Sequence, residues 1–403
     1  MTQETNLLPA DLNDALLVGR VWREASADGA VAGPAVVAVR RGRLVDITRH
    51  AATVADLFER DDLLAIVRGA EGEDLGDALA LVQAAMSGKS GGEPDEALTL
   101  LAPCDLQAVK ACGVTFAVSL LERVIEEQAK GDPGRAGELR AQLQASIGTN
   151  LSQIEPGSEA ALRLKDELSS RGLWSQYMEV GIGPYAEVFT KSQPMSAVGH
   201  GAEVGLHPAS HWNNPEPEIV LAVNSRGLVV GGTLGNDVNL RDIEGRSALL
   251  LGKAKDNNGS CAIGPFIRLF DGGFSLDTLR EAEVGMLIEG LDDGFTLAGH
   301  SRIREISRDP LDLVGQTCGA HHQYPDGFML FLGTMFSPIK DRDAPGKGFT
   351  HHLGDRVSIS TPSLGTLVNT VQRSDGIEPW TFGIRALYDN LARRGLLAAT
   401  GAR

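Results

Sequence analysis

Glu216 and Glu218 stand two residues apart at the start of an alternating apolar run. Because side chains two apart on a strand point to one face, we expect the two carboxylates to share one side of a sheet. Like charges this close repel each other unless one is protonated or a cation lies between them. The spacing therefore predicts a cation site, against the simpler alternative of a solvated Glu-x-Glu pair on a half-buried edge strand.

A third carboxylate, that of Asp237, is predicted to join the pair through a hairpin. Residues 224–227 read Asn-Ser-Arg-Gly, which is typical of a turn, and a second apolar run follows. Folding the runs together pairs Glu216 near Gly235 and leaves Asp237 close by. Carboxylate oxygens suit Mg²⁺ or Mn²⁺ better than zinc, which prefers His and Cys. Glu216, Glu218 and Asp237 are therefore the predicted metal ligands.

Composition limits the classes of function. The chain has 403 residues, 42 % of them hydrophobic, so it can bury a large core and favours two domains. Its net charge of −16 excludes a basic nucleic-acid surface. No apolar run is long enough to span a membrane, the N-terminus lacks the features of a signal peptide, and the four cysteines are widely spaced. We expect a cytoplasmic protein without disulfide bonds.

The chain changes character along its length. Residues 1–100 combine short strands with helical spacing and are predicted to form a smaller α/β domain, with a glycine-rich linker at 87–94. Residues 101–403 begin with helices, one of them expected at 136–145. They continue as short apolar segments separated by Gly, Pro, Asn and Asp, which indicates a β-rich domain.

The order of several motifs across residues 180–375 resembles the fumarylacetoacetate hydrolase family. The matching elements are Glu216-x-Glu218, Asn236-Asp237 with Arg241, Gly252-Lys253, Gly333-Thr334 and Gly354-Asp355. The resemblance implies an α+β fold in which a mixed β-sandwich roll carries a divalent metal at its mouth. It also implies a homodimer or homotetramer.

Two departures from the hydrolases of this family favour its 2-keto-3-deoxy-sugar-acid dehydratase branch. Many of the hydrolases carry a water-activating His shortly after the first conserved strand, and Ser119 stands at that place here. Glu187 and Lys191 flank Phe189 at the spacing of the dehydratase branch. The resemblance thus implies a hydro-lyase of pentose catabolism, with an acylpyruvate or diketo-acid C–C hydrolase as the alternative. A binding protein for keto acids is a third hypothesis.

The resemblance also implies roles for individual residues. A 2-keto-3-deoxypentonate would be converted to 2,5-dioxopentanoate through a metal-bound enolate, with Glu187 as base. Lys253 would compensate the enolate charge, and Lys191 would do the same or act as acid. The substrate-binding residues implied are Ser119, Arg241, Gly333 and Thr334, although Arg241 could instead pair with a neighbouring aspartate.

Overall fold

The computed structural model of the chain describes residues 6–25, 31–88, 97–130, 132–136, 154–170 and 174–397. Most of the predicted linker and of the helix expected at 136–145 lies outside these residues. The strands are β1 Leu17–Arg23, β2 Gly33–Arg40, β3 Arg43–Asp46, β4 Glu73–Asp77, β5 Leu98–Leu101, β6 Ala108–Cys112, β7 Val188–Ser192, β8 Glu203–Leu206, β9 Pro217–Val223, β10 Val229–Asp237, β11 Cys261–Leu269, β12 Glu283–Glu289, β13 Thr296–Arg302, β14 Phe328–Phe331, β15 Arg356–Thr361 and β16 Gly365–Arg373.

Short helices connect these strands. They are α1 Val54–Phe58, α2 Leu63–Gly69, α3 Ala78–Met86, α4 Ala117–Ala129, α5 Glu159–Ser170, α6 Gln176–Ile182, α7 Arg241–Glu244, α8 Leu251–Lys255, α9 Leu276–Arg280, α10 Pro310–Thr317 and α11 Ile384–Arg393. No helix among the described residues combines the length and the apolar character needed to cross a bilayer.

The strands form two mixed sheets. The larger sheet has the order β4-β3-β2-β1-β11-β10-β9-β14-β6-β7, with β5 also paired to β1, and the smaller has the order β13-β12-β15-β16-β8. Most neighbours are antiparallel, whereas β6 runs parallel to β14 and β8 runs parallel to β16. The prediction of an α+β fold built on mixed sheets is confirmed.

The strands of residues 1–100 extend the larger sheet. Strand β1 pairs with β11, where Leu17 lies opposite Arg268 and Val18 opposite Ile267. The Arg268 guanidinium also bonds both carboxylate oxygens of Asp11. The sheet is thus continuous across the predicted domain boundary near residue 100, and that boundary stays a prediction.

Strand β9 lies at the centre of the larger sheet. Ile219 and Leu221 belong to the core between the two sheets, whereas Val220 and Ala222 face a second apolar cluster with α1 and α2. Both faces are therefore covered, and every residue of β9 is buried. The expectation of a half-buried strand was wrong, because helices cover the face expected to meet water, and the alternative of an edge strand is excluded, because β10 and β14 flank β9.

Helices α4, α5 and α6 pack together beside the end of this sheet, and we call them the helical cap. Leu120, Val124, Leu168 and Met178 form their shared apolar core. Because one face of α4 is buried in that core, the residues on its other side are directed at the carboxyl-bearing ends of β9 and β10. This packing positions Arg123, described below.

Candidate active site

The hairpin of β9 and β10 brings the three predicted metal ligands together. Gly235 lies opposite Glu218, and the Asp237 amide donates to the Glu216 carbonyl at 3.0 Å. The predicted pairing of Glu216 near Gly235 was therefore two residues out of register. Carboxylate oxygens of Glu216, Glu218 and Asp237 lie within 4.8 Å of one another, and all three residues are at most 1 % exposed.

The Gly333–Thr334 turn holds Glu218 from the side of β14. The Gly333 amide donates to Glu218 Oε2 at 2.7 Å, and the Thr334 hydroxyl lies 3.5 Å from Oε1. Gly333 has φ +101°, and a Cβ there would overlap the Thr115 hydroxyl. Ser119 Oγ donates to the Thr334 carbonyl at 2.6 Å. The Gly333 amide and the Ser119 hydroxyl, both predicted to bind substrate, are thus engaged with the protein itself.

Lys191 is buried behind Asp237. Its Nζ lies 2.9 Å from Asp237 Oδ1 and donates to the carbonyls of Lys255 at 2.5 Å and Val238 at 3.4 Å. The described residues that line the cavity beside the carboxylates do not include Lys191. The structure therefore assigns Lys191 to fixing a metal ligand, and the predicted direct catalytic role is not supported.

Lys255, rather than Lys253, enters the carboxylate cluster. Its Nζ lies 2.7 Å from Glu216 Oε2 and 3.1 Å from Asp237 Oδ2. Lys253 is exposed, and its Nζ lies 3.2 Å from His207 Nε2. Both lysines belong to the single turn of α8, where residues two apart point in nearly opposite directions. Lys255, and not Lys253, therefore lies where the predicted charge-compensating role requires a lysine, and the role itself stays a prediction.

Arg123 of the helical cap belongs to none of the sequence motifs. One terminal nitrogen, Nη2, contacts Glu216 Oε1, and the other, Nη1, lies 2.6 Å from Glu126 Oε2 and 3.1 Å from Glu244 Oε2. Sequence reasoning missed this residue. The available signal was the spacing of Ser119, Arg123 and Glu126, which places three polar residues on one face of α4.

Arg241 lies beside a different, more open cavity of about 240 Å³, which Trp212 also lines. Its Nε lies 3.1 Å from Glu126 Oε1, and its guanidinium carbon lies 5.5 Å from the Trp212 ring centroid. Asp242, the alternative partner, accepts from the Ser210 hydroxyl at 2.8 Å. The pairing of Arg241 with a neighbouring aspartate is therefore replaced by pairing with Glu126, and substrate binding by Arg241 stays a prediction.

Glu187 reaches the carboxylate cluster across the end of β6. Its side chain packs over Gly113 so closely that a Cβ on that glycine would overlap Oε2. The enclosed cavity of about 10 Å³ holds about one water. Its lining comprises Cys112, Gly113, Val114, Arg123, Tyr177, Glu187, Phe189, Glu216, Asp237, Glu244, Lys255 and Thr334. Glu187 and Lys255 thus share one cavity with Glu216 and Asp237, two of the three predicted ligands.

Burial and charge give the carboxyl groups of the site different proton affinities. Burial, reinforced by the charges of Asp237 and Glu216, holds the pKa of Glu218 well above its usual value. Burial acts on Asp237 in the same sense, but Lys191 and Lys255 outweigh it and lower its pKa. Burial raises the pKa of Glu187, and raises that of Glu244 to about 7. The site therefore contains both a carboxylate with a lowered pKa, Asp237, and one carboxyl group, Glu244, able to exchange a proton near neutrality.

The donor set fits Mg²⁺ or Mn²⁺. Three carboxylates from two adjacent strands supply hard oxygen atoms at mutual distances that one ion can bridge. A second acidic group, Asp292, Asp293 and His352, lies at the surface. There, His352 is bonded to Asp292 and Asp343, each at 2.8 Å. This second group holds loops together through ion pairs, and the buried group is the better metal site.

Comparison with known proteins confirms the resemblance to sugar-acid dehydratases. No family model matches the chain. It is 31 % identical over 192 residues to a 2-dehydro-3-deoxy-D-arabinonate dehydratase of Saccharolobus solfataricus. It is 32 % identical over 195 residues to a probable 2-keto-3-deoxyxylonate dehydratase of Haloferax volcanii. The matches cover 46 % and 48 % of this chain, and they span 59 % and 63 % of the relatives' own lengths.

Solved structures confirm the fold over most of the chain. The apo form of 2-keto-3-deoxy-D-arabinonate dehydratase matches with a TM-score of 0.58 at 18 % identity. The same enzyme complexed with magnesium and 2,5-dioxopentanoate matches with a TM-score of 0.57 at 19 % identity. Each alignment covers 88 % of this chain and 99 % of the other.

Proposed function

We propose that the protein is a Mg²⁺-dependent hydro-lyase that dehydrates a 2-keto-3-deoxypentonate to 2,5-dioxopentanoate. The observation that carries the proposal is a cavity in which Glu187 and Lys255 lie with Glu216 and Asp237, two of the three clustered carboxylates predicted to hold a metal. The names of the two curated relatives support it, as do the magnesium and 2,5-dioxopentanoate bound by one structural neighbour. We also propose a cytoplasmic homodimer or homotetramer, with Mn²⁺ able to replace Mg²⁺.

The first chemical step is removal of a proton from C3 of the keto acid. Glu216, Glu218 and Asp237 would hold the metal, which polarises the 2-keto group and so acidifies C3. Glu187 takes the proton, since its raised pKa makes it a stronger base than an exposed carboxylate. The Lys255 ammonium group compensates the negative charge that develops on the keto oxygen.

The second step is departure of the C4 hydroxyl group. The C4–O bond breaks, a double bond forms between C3 and C4, and the hydroxyl leaves as water after taking a proton from an acid. Glu244 suits this task, because it lines the cavity and its pKa of about 7 keeps a proton available near neutral pH. Two proton shifts, from C5 and its oxygen to C3 and C4, then give the aldehyde.

In many hydrolases of the family the water-activating base stands at the position of Ser119, so the hydrolase alternative would need a base from elsewhere in the chain. The Ser119 hydroxyl donates to the Thr334 carbonyl at 2.6 Å and is buried, so it has no geometry for activating water. This contact favours dehydration over hydrolysis of acylpyruvates. A binding protein that holds keto acids without chemistry would have no use for a base such as Glu187 in this cavity.

One NMR experiment tests the proposal. Protein stripped with EDTA is supplied with Mg²⁺ and 2-keto-3-deoxypentonate of each C4 configuration, with an acylpyruvate in a parallel tube. We expect a metal-dependent aldehyde hydrate to appear with loss of the C4 hydroxyl, and a Glu187→Gln variant to be slower by about 10²–10⁴-fold. Cleavage of the acylpyruvate with the sugar acids untouched would overturn the proposal.

A further inference from the structure

Side chains and backbone groups of the chain itself contact the oxygens of the predicted metal ligands. Both carboxylate oxygens of Glu216 contact cationic groups. Oε1 contacts the Arg123 guanidinium, and Oε2 contacts the Lys255 ammonium group. The two Asp237 oxygens pair with Lys191 and Lys255. Three positive charges thus balance the carboxylates where a divalent cation would do so.

Arg123 differs from the two lysines in where it is anchored. Lys191 donates to backbone carbonyls, and Lys255 bridges two of the metal ligands. Arg123 comes from the helical cap and reaches the predicted metal ligands through one nitrogen, Nη2, which contacts Glu216. Its other nitrogen, Nη1, is held by Glu126 and Glu244. Breaking one contact therefore frees Glu216 Oε1 without releasing the guanidinium from the cavity.

The small volume of the cavity also points to Arg123 as the side chain that moves. The space of about 10 Å³ holds about one water, so binding of a keto acid together with a metal ion requires a lining side chain to move. Arg123 lines this space and belongs to an element outside the two sheets.

We propose that Arg123 is an exchangeable counter-ion of the metal site, which yields Glu216 Oε1 to a divalent cation and then binds the substrate carboxylate through its freed Nη2 edge. Glu126 and Glu244 hold the guanidinium in the cavity during the exchange. The second half of this inference rests on the proposed function, whereas the exchange itself does not. A planar guanidinium with a free edge is well shaped for a carboxylate.

Metal titration without turnover tests the exchange. Mn²⁺ binding is followed by EPR of the free ion in wild type, Arg123→Gln and the double variant Arg123→Gln/Glu244→Gln. We expect Arg123→Gln to bind Mn²⁺ about tenfold more tightly, because a close competing charge is removed. The exposed Arg163 of α5 supplies the control Arg163→Gln, which should match wild type.

The double variant separates exchange from a simple charge effect. Titrated at about pH 8, above the Glu244 pKa of about 7, it has the net charge of wild type, and it leaves no unpaired carboxylate at residue 244, so it also serves if Arg123→Gln fails to fold. Tighter binding than wild type in the double variant supports exchange. Binding equal to or weaker than wild type in the double variant overturns it.

Pyruvate binding to the Mg²⁺-loaded protein, measured by calorimetry, tests the carboxylate role. We expect Arg123→Gln to bind pyruvate about tenfold to a hundredfold more weakly, since a charged hydrogen bond is lost, with Arg163→Gln unchanged. Equal pyruvate affinity in wild type and Arg123→Gln overturns the carboxylate role. Failure of wild type to dehydrate sugar acids would refute the proposed function alone, because neither titration requires turnover.

Discussion

The Glu187 carboxylate lies directly over the Cα of Gly113, in a space that a single methyl group at Gly113 would fill. The backbone fixes this arrangement, because the Gly113 amide donates to the Glu187 carbonyl at 3.1 Å where β6 pairs with β7. A glycine at the end of β6 thus makes room for the proposed base. The position of Glu187 depends on the absence of a side chain at residue 113.

Gly113→Ala should therefore act on catalysis through Glu187. The new Cβ displaces the carboxylate, and we expect the dehydration rate to fall by about 10²-fold while Mg²⁺ affinity stays within about twofold of wild type. Steady-state rates and metal titration check this. Gly252→Ala is the matched control, since a Cβ there meets nothing within 4 Å. If both variants retain the wild-type rate, the hypothesis that a Cβ at residue 113 displaces the Glu187 base is wrong.

Lys255→Met and Lys253→Met should differ sharply although the residues are two apart. Removing Lys255 leaves Glu216 and Asp237 with less compensation, so we expect the metal-free protein to lose about 3–5 kcal/mol of unfolding free energy. Lys253→Met should change it by less than about 0.5 kcal/mol, because Lys253 is exposed. Urea unfolding with and without Mg²⁺ measures both. Equal effects of the two substitutions would contradict the assignment of Lys255.

The sequence predicted the metal ligands because short-range rules govern them. Alternation along a strand put Glu216 and Glu218 on one face, and a turn signal returned the chain to Asp237. These rules hold whatever surrounds the hairpin. The register error of two residues did not matter, because Asp237 still lies opposite Glu216.

Lys253, Lys255 and Arg123 were harder to assign, because their roles depend on the direction in which each side chain leaves its helix. The orientation of α8 about its axis determines whether Lys253 or Lys255 points at the carboxylates. No sequence motif indicates that orientation. Arg123 belongs to the helical cap, and its contact with Glu216 joins residues 93 apart in the chain. Such a contact follows from the packing of α4, which the spacing of α4 residues alone does not determine.

Mg²⁺ should stabilise the folded protein through the buried carboxylates alone. At a concentration of about one hundred times Kd, binding adds about 2.7 kcal/mol to the unfolding free energy. We expect Glu218→Gln to lose most of this gain, because one of the three ligands is neutralised. Asp292→Asn, in the surface acidic group, should keep it. Thermal unfolding with and without Mg²⁺ provides the measurement. A loss of the gain in Asp292→Asn would place the metal at the surface.

The buried His200 should make the stability of the folded protein depend on pH. Its Nδ1 accepts from the Val368 amide at 3.2 Å, Nε2 has no hydrogen-bond partner in the described part of the chain, and burial lowers its pKa to about 4. Between pH 6.5 and 4 the unfolded chain binds the extra proton and the folded protein does not. Stability contributed by neutral His200 is therefore present above pH 6.5 and is lost as pH falls toward 4.

His200→Asn should remove this dependence, because its side-chain oxygen can accept from Val368 and it does not titrate. The unfolding free energy of wild type should fall by about 3 kcal/mol more than that of the variant between about pH 6.5 and 4. Carboxyl groups common to both proteins cancel in this difference. The exposed His50, replaced by Asn, is the control and should follow wild type. Parallel pH curves for wild type and His200→Asn would show that His200 binds its proton equally well in the folded and unfolded states.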